Sequence, residues 1–138
     1  MDFLTAMEVS ASGLSAERTR INVASSNLAN VNTTRGAGGG PYQRQNVVLS
    51  SRAVGEPGAG QGTFAVAVDG VQPDPAPPRL EYDPGHPDAN PDGYVAYPNV
   101  NVVEEMVDMI TASRAYQAGL TALNTAVSLA ERALGIGK

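Results

Sequence analysis

The chain has no cysteine and no tryptophan, one histidine, His86, and one lysine, Lys138. Without cysteine there can be no disulfide, no thiolate metal site and no thiol nucleophile. Lys and Arg together number 9 against 14 acidic residues, giving a net charge of −5, and they form no cluster that could track a phosphate backbone. Nucleic acid is thereby excluded as an expected partner. No apolar run approaches the roughly 18 residues of a membrane span, and Met1-Asp2-Phe3 puts an acid where a secretory leader carries base. The expectation is a protein without a cleaved leader, cytoplasmic unless a leaderless route exports it. Leu, Ile, Val and Phe make up only about a fifth of the 138 residues, close to the level at which burial barely offsets ordering entropy. A chain of this length holds one ordinary domain and no second large core, which excludes a multidomain enzyme.

Proline is missing from both ends: all ten lie between Pro41 and Pro98. Long helices are therefore possible only in the flanks. In the first, Met7, Leu14, Ile21 and Leu28 recur every seven residues, widened into a stripe by Leu4, Ala11, Ala24 and Val31, which predicts a helix over 3–30. Gly13, among Ser10, Ser12 and Ser15, is its expected weak spot. In the second flank Asn101 and Glu104 have the spacing of a capping box. Behind them Met106, Ser113, Leu120, Val127 and Leu134 occupy one heptad position, and Met109, Tyr116, Leu123 and Ala130 the other. Gly135 and Gly137 close this helix, expected over 101–134 and about 50 Å long at ~1.5 Å per residue. Small residues such as Ser113 and Ala130 in the seam allow close helix approach.

The middle is rich in glycine and proline, with 36–40 and 55–62 flexible by composition. Tyr42–Leu49, Phe64–Val68 and Leu80–Tyr82 read as short strands, enough for a hairpin or a three-stranded unit. The predicted fold is mostly α with a small β insert: 1–35 a first helical segment, 36–98 the Gly/Pro-rich middle, 99–138 a second helical segment, the two terminal helices forming a coiled-coil layer.

The densest polar cluster runs from Tyr82 to Tyr94. Asp88, Asn90, Asp92 and Gly93 match the first positions of a calcium loop, but Asn99 stands where a bidentate Glu is required, and Pro87 and Pro91 deny the flanking helices. His86 beside Asp83 and Asp88 has no second His, Cys or Glu to complete a zinc site or an acid–base pair. The expectation is a structural turn built by Asp83, Pro84, Gly85, His86, Pro87 and Asp88, with no metal and no cofactor. Ser12-Gly13-Leu14-Ser15 is not a nucleophile elbow, and Gly36–Gly40 lacks the Lys-Ser/Thr ending of a phosphate loop. Asn27, Asn30 and Asn32 read as a helix C-terminus passing into a turn, their side chains bonding to nearby backbone rather than to a partner. No catalytic constellation remains, so the expectation is a non-enzyme without a small-molecule substrate. Two long stripes with too little middle to cover them must pair with each other, pack on copies of the chain, or do both.

Four stretches carry a resemblance: Ser10-Ala-Ser-Gly-Leu-Ser-Ala-Glu-Arg18, Asn27-Leu-Ala-Asn-Val-Asn-Thr-Thr34, Tyr82-Asp-Pro-Gly-His-Pro-Asp88, and the run from Gly93 through Pro98-Asn-Val-Asn-Val102 to Gln117. Together they resemble the bacterial flagellar basal-body rod proteins nearly end to end, the last two pointing to the proximal rod; 52–62 carries no such pattern. The resemblance implies a structural subunit of the rod, exported by the flagellar type III apparatus without a cleaved signal peptide and polymerised in the periplasm into a torque-transmitting shaft. It also implies terminal helices that form an inner coiled-coil layer and stay disordered until assembly. The implied partners are further copies of the chain and other rod proteins, FlgB, FlgF and FliE. The seam residues expected to make subunit contacts are Met7, Leu14, Ile21, Leu28, Met106, Met109, Tyr116, Leu120, Leu123, Val127 and Leu134. The competing classes are a cytoplasmic coiled-coil adaptor that dimerises through 101–134 and a peptidoglycan-cleaving enzyme, the latter disfavoured because neither a carboxylate pair nor a complete metal site is visible.

Overall fold

The computed structural model describes residues 3–54 and 62–136. Two long helices, α1 (Phe3–Ala29) and α2 (Val102–Ile136), enclose in sequence four strands, β1 (Gln45–Val54), β2 (Thr63–Pro73), β3 (Arg79–Tyr82) and β4 (Tyr94–Tyr97). The strands form two separate antiparallel hairpins, β1–β2 and β3–β4. This is the mostly α fold with a small β insert that the proline distribution predicts.

α1 runs without a break through Gly13. The Ser10 and Ser12 hydroxyls fold back onto the carbonyls of Ala6 and Val9 at 2.9 and 2.7 Å, so the serines satisfy themselves along the helix. Gly13 lies on an open side, where an added Cβ would meet nothing within 4 Å, and its propensity cost of about 1 kcal/mol does not interrupt the helix. α2 starts where expected: Asn101 Oδ1 accepts the N–H groups of Val103 and Glu104 at 3.0 and 3.4 Å. Only half of the capping box forms, since among the described residues no side-chain bond returns from Glu104.

The two helices lie antiparallel on one another. Asn27, near the end of α1, bonds to Glu105 in the first turn of α2; Arg20 faces Asp108 at 4.0 Å; Leu14 sits against Gly119. The stripes therefore meet each other within one chain, the first of the outcomes the sequence leaves open. The inward line of α2 is Glu105, Met109, Ala112, Tyr116, Gly119, Leu123, Ala126 and Ala130, a 4-3-4-3 spacing in which every residue is buried or half-buried. At Gly119 a Cβ would stand 3.0 Å from Leu14 Cδ2, so the absence of a side chain is what admits the leucine. The expected line through Met106, Ser113, Leu120, Val127 and Leu134 lies one residue further round, roughly 100° away. Met106, Leu120 and Leu134 on it are 50%, 41% and 76% exposed.

The strands are longer than their apolar runs. β1 continues through Arg52-Ala53-Val54, so the first part of the glycine-rich 52–62 region is paired strand, whereas 55–61 lies outside the described residues. The register slips between Val48 and Leu49, leaving Asp69 as an extra residue, which accepts the Ser50 hydroxyl at 2.8 Å. The hairpin rests on α1: Ala65 is buried, and the Val66 N–H donates to Ser12 Oγ at 3.1 Å. Its other face turns Leu49, Phe64, Val66 and Val68 to solvent. β4 was not expected. Its central Val95 is fully buried and its edge pairs with β3 from Tyr82↔Tyr94 to Arg79↔Tyr97.

Candidate functional site

Three arrangements hold the candidate residues. The first is the helix pair. On α1, Met7, Leu14, Ile21 and Leu28 are half-buried, and on α2 so are Met109, Tyr116, Leu123 and Val127. Outward on the first three turns of α2, Val103, Met106, Val107 and Ile110 form an exposed apolar band at helical spacing, with no residue of this chain over it among the described residues. Leu120, Leu129 and Leu134, further along α2, are also exposed. No helix of the described residues is long and apolar enough to cross a membrane. Isolated exposed apolar residues are ordinary, whereas Val103, Met106, Val107 and Ile110 are adjacent on one side of the helix.

The second is the loop between β3 and β4. Asp83 and Asn90 organise it from within: Asp83 Oδ1 accepts the Gly85 N–H at 3.2 Å, and Asn90 Oδ1 accepts those of Asp92 and Tyr94 at 3.0 and 2.8 Å. His86 Nδ1 accepts the Asp88 N–H at 3.0 Å, so the imidazole serves the turn as a backbone acceptor. Asp83, Pro84, Gly85 and Pro87 are exposed. Asp88 leaves the loop and accepts the Thr34 hydroxyl at 2.8 Å and the Arg35 guanidinium, tying the hairpin to the segment that follows α1. The Thr34 hydrogen bond, with the Arg35 charge, holds the Asp88 carboxyl below its ordinary pKa despite the opposing effect of desolvation. Gly93 closes the turn at φ 84°, with Tyr82 so near that a Cβ would lie 2.8 Å from its ring. Among the described residues no three His, Cys, Asp or Glu side chains are grouped to hold a metal ion.

The third arrangement was missed from the sequence: a buried polar network where α1, α2 and β1 meet. Asn27, 1% exposed, makes four hydrogen bonds. Its Nδ2 donates to Gln45 O at 2.9 Å and to Glu105 Oε2 at 3.0 Å, and its Oδ1 accepts from Tyr42 Oη at 2.8 Å and Gln45 N at 2.9 Å. The local reading holds for Asn30, whose Nδ2 bonds to Ser26 O, but not for Asn27, whose partners lie 15 to 78 residues away. The other Glu105 oxygen accepts from Arg44 Nε, and the same guanidinium reaches Asn46, Asp74 at 3.3 Å and Asp108 at 3.8 Å. Burial disfavours the Arg44 charge, but the Glu105 and then the Asp74 bonds and charges outweigh it, raising the pKa above its ordinary value. The Ala76 N–H, with Asn46 and Arg44, lowers that of Asp74. Asn99 Oδ1 accepts the Arg44 N–H at 3.1 Å, while its Nδ2 is the one buried side-chain nitrogen or oxygen without a partner among the described residues. No local signal marked it, since the partners of Glu105 lie 61 and 78 residues away and its line faces inward only in the fold.

These arrangements are structural in character: a helix pair with an uncovered outer face, a rigid turn, and a polar junction that locks helices to sheet. Known proteins resemble the chain along its whole length. Residues 7–37 match the family model described as flagella basal body rod protein, and residues 92–136 match that of the flagellar basal body rod FlgEFG protein C-terminal region. The flagellar basal-body rod protein FlgC of Borreliella burgdorferi is 44% identical over 153 residues, covering 99% of this chain and 98% of that protein. FlgC of Yersinia enterocolitica is 44% identical over the full length of both, and FlgC of Bacillus subtilis 41% identical over 96% of each. The two family models meet the two helices and the turns that follow or precede them, and the relatives span the hairpins between. The chain belongs to the FlgC family of flagellar basal-body rod proteins.

Proposed function

We propose that this chain is a structural subunit of the proximal rod of the bacterial flagellum. The observation that carries the reading is the exposed apolar band of α2, Val103, Met106, Val107 and Ile110, on a helix pair already closed on its inner side. A surface of this kind in a rod-protein family suits lateral packing of many subunits, each presenting the same stiff helix pair. Small and polar residues on the outward face of α1, among them Ala11, Ser15, Asn22 and Ser25, would let neighbouring helices come close. Torque passes along such a shaft because each packed helix resists shear through many short contacts rather than through one hinge.

In this reading the chain is exported by the flagellar type III apparatus without a cleaved signal peptide and polymerises in the periplasm. Its contacts there are further copies of itself and the rod proteins FlgB, FlgF and FliE. Motility and basal-body purification test it in a strain whose own gene is replaced by the M106D/I110D variant. The expected result is a folded, exported chain that is absent from purified basal bodies, in non-motile cells. Normal motility with this variant would remove the α2 band from the reading.

A further inference from the structure

We infer that the buried Asn27–Glu105 pair is the register key of the two helices, the contact that selects one alignment of α2 along α1 from several that packing alone would accept. α1 carries the large residues Met7, Leu14, Ile21 and Leu28 at seven-residue spacing, and the inward line of α2 carries the small residues Ala112, Gly119 and Ala126 at the same spacing. Leu14 lies against Gly119. A slide of one heptad, about 10 Å at ~1.5 Å per residue, would set it against Ala126 or Ala112, holes smaller by one methyl group, which a small shift at the flexible end of the leucine accommodates. Regular knobs facing regular small holes fit again after each such step, so apolar packing discriminates weakly between registers.

The polar pair breaks that degeneracy. Asn27 and Glu105 are the buried polar or charged side chains among the described residues. Asn27 is fixed to β1 independently of α2, through both the N–H and the carbonyl of Gln45, so its remaining amide hydrogen points from a rigid base. Arg44, in the segment that leads into β1, reaches the other oxygen of the same carboxylate. Glu105 is thus gripped from two directions by groups that do not belong to α2. With Leu14 on Ala126, Ala112 would stand opposite Asn27, and with Leu14 on Ala112, Pro98, ahead of α2, would; either way Asn27 would lose its acceptor and Arg44 its carboxylate partner. A buried donor or charge without a partner disfavours that state far more than a slightly altered apolar contact does. The inference concerns the folded chain itself and does not depend on assembly.

The chain has no native cysteine, so paired spin labels can be placed cleanly. Arg18 and Arg114 are exposed, and each lies nine residues along its helix from the pair, which brings them level across the antiparallel helices. R18C/R114C labelled with nitroxides, measured by double electron–electron resonance, should give one narrow distance distribution, and E105Q, whose amide oxygen can still accept from Asn27, should preserve it. N27L/E105M, which keeps volume but removes the key, should retain helicity and show a second or strongly broadened population. A helical N27L/E105M protein with the single narrow distribution of its parent would overturn the inference. So would loss of helicity in N27L/E105M alone, since the pair would then be an element of stability and not of register.

Discussion

Replacing Arg44 by Met tests the polar junction directly. The side chain is 19% exposed and its Nε bonds to Glu105, whose own side chain is 2% exposed. Met keeps most of the volume, so the perturbation is chiefly the removal of a cation from a buried carboxylate that retains only Asn27. Breaking one side of a buried pair costs about 3–5 kcal/mol, because the remaining charge stays desolvated without compensation. Against a total stability of roughly 5–15 kcal/mol this is a large fraction. At about 3–5 °C per kcal/mol for a domain of this size, Tm should fall by roughly 10–20 °C. Circular dichroism at 222 nm, followed through thermal melting at neutral pH, reads this because both helices end at the junction. The decisive arm is R44M/E105Q: a neutral amide in the same place removes the stranded charge, so the double variant should recover more than half of the lost Tm. An R44M protein within about 2 °C of the parent, or an R44M/E105Q protein no better than R44M, would refute the claim that a desolvated carboxylate at position 105 is what Arg44 supports.

Gly93→Ala should destabilise by about 2–4 kcal/mol, from a positive φ that disfavours a side chain and a Cβ 2.8 Å from the Tyr82 ring, whereas Gly85→Ala in the same loop should change the melting temperature little. Leu120→Asp, at an exposed position, should melt like the parent and yet abolish motility, while Leu123→Asp on the inward line should lower Tm by itself; equal melting of the two would show that the inward line is misassigned. The depressed carboxyl groups of Asp74 and Asp88 bind protons more readily unfolded than folded. Their contribution is therefore present above the ordinary Asp value of about 4 and is lost as pH falls through their folded values. Asp88→Asn should flatten the acid limb of a urea-denaturation series between about pH 5 and pH 2, and an unchanged limb would remove Asp88 as its source.

Proline confined to 41–98 left only the flanks for long helices, and both helices form there. Asn101 marked the start of α2 because its side chain satisfies helix N–H groups locally, and local chemistry is legible in a sequence. The 83–93 turn was legible for the same reason: Asp83 and Asn90 bond to backbone within four residues. What the sequence left undecided is whatever depends on partners far along the chain. Of two adjacent heptad lines on α2, the one through Met106 has the larger apolar side chains and the one through Glu105 carries Ala112, Gly119 and Ala126. Tertiary packing chose the line through Glu105 because Gly119 admits Leu14 and because Asn27 and Arg44 receive the carboxylate. Composition cannot announce that a charged residue will be the inward one when its partners arrive from 61 and 78 residues away. Tyr94, Val95 and Tyr97 are strand-forming residue types, but that β4 pairs with β3 was decided by the fold. The sequence thus determined where helices could exist and where the chain must turn, since those follow from backbone sterics and short-range hydrogen bonds. Tertiary structure decided which faces meet, because that depends on the shape and charge of surfaces the chain brings together only when folded.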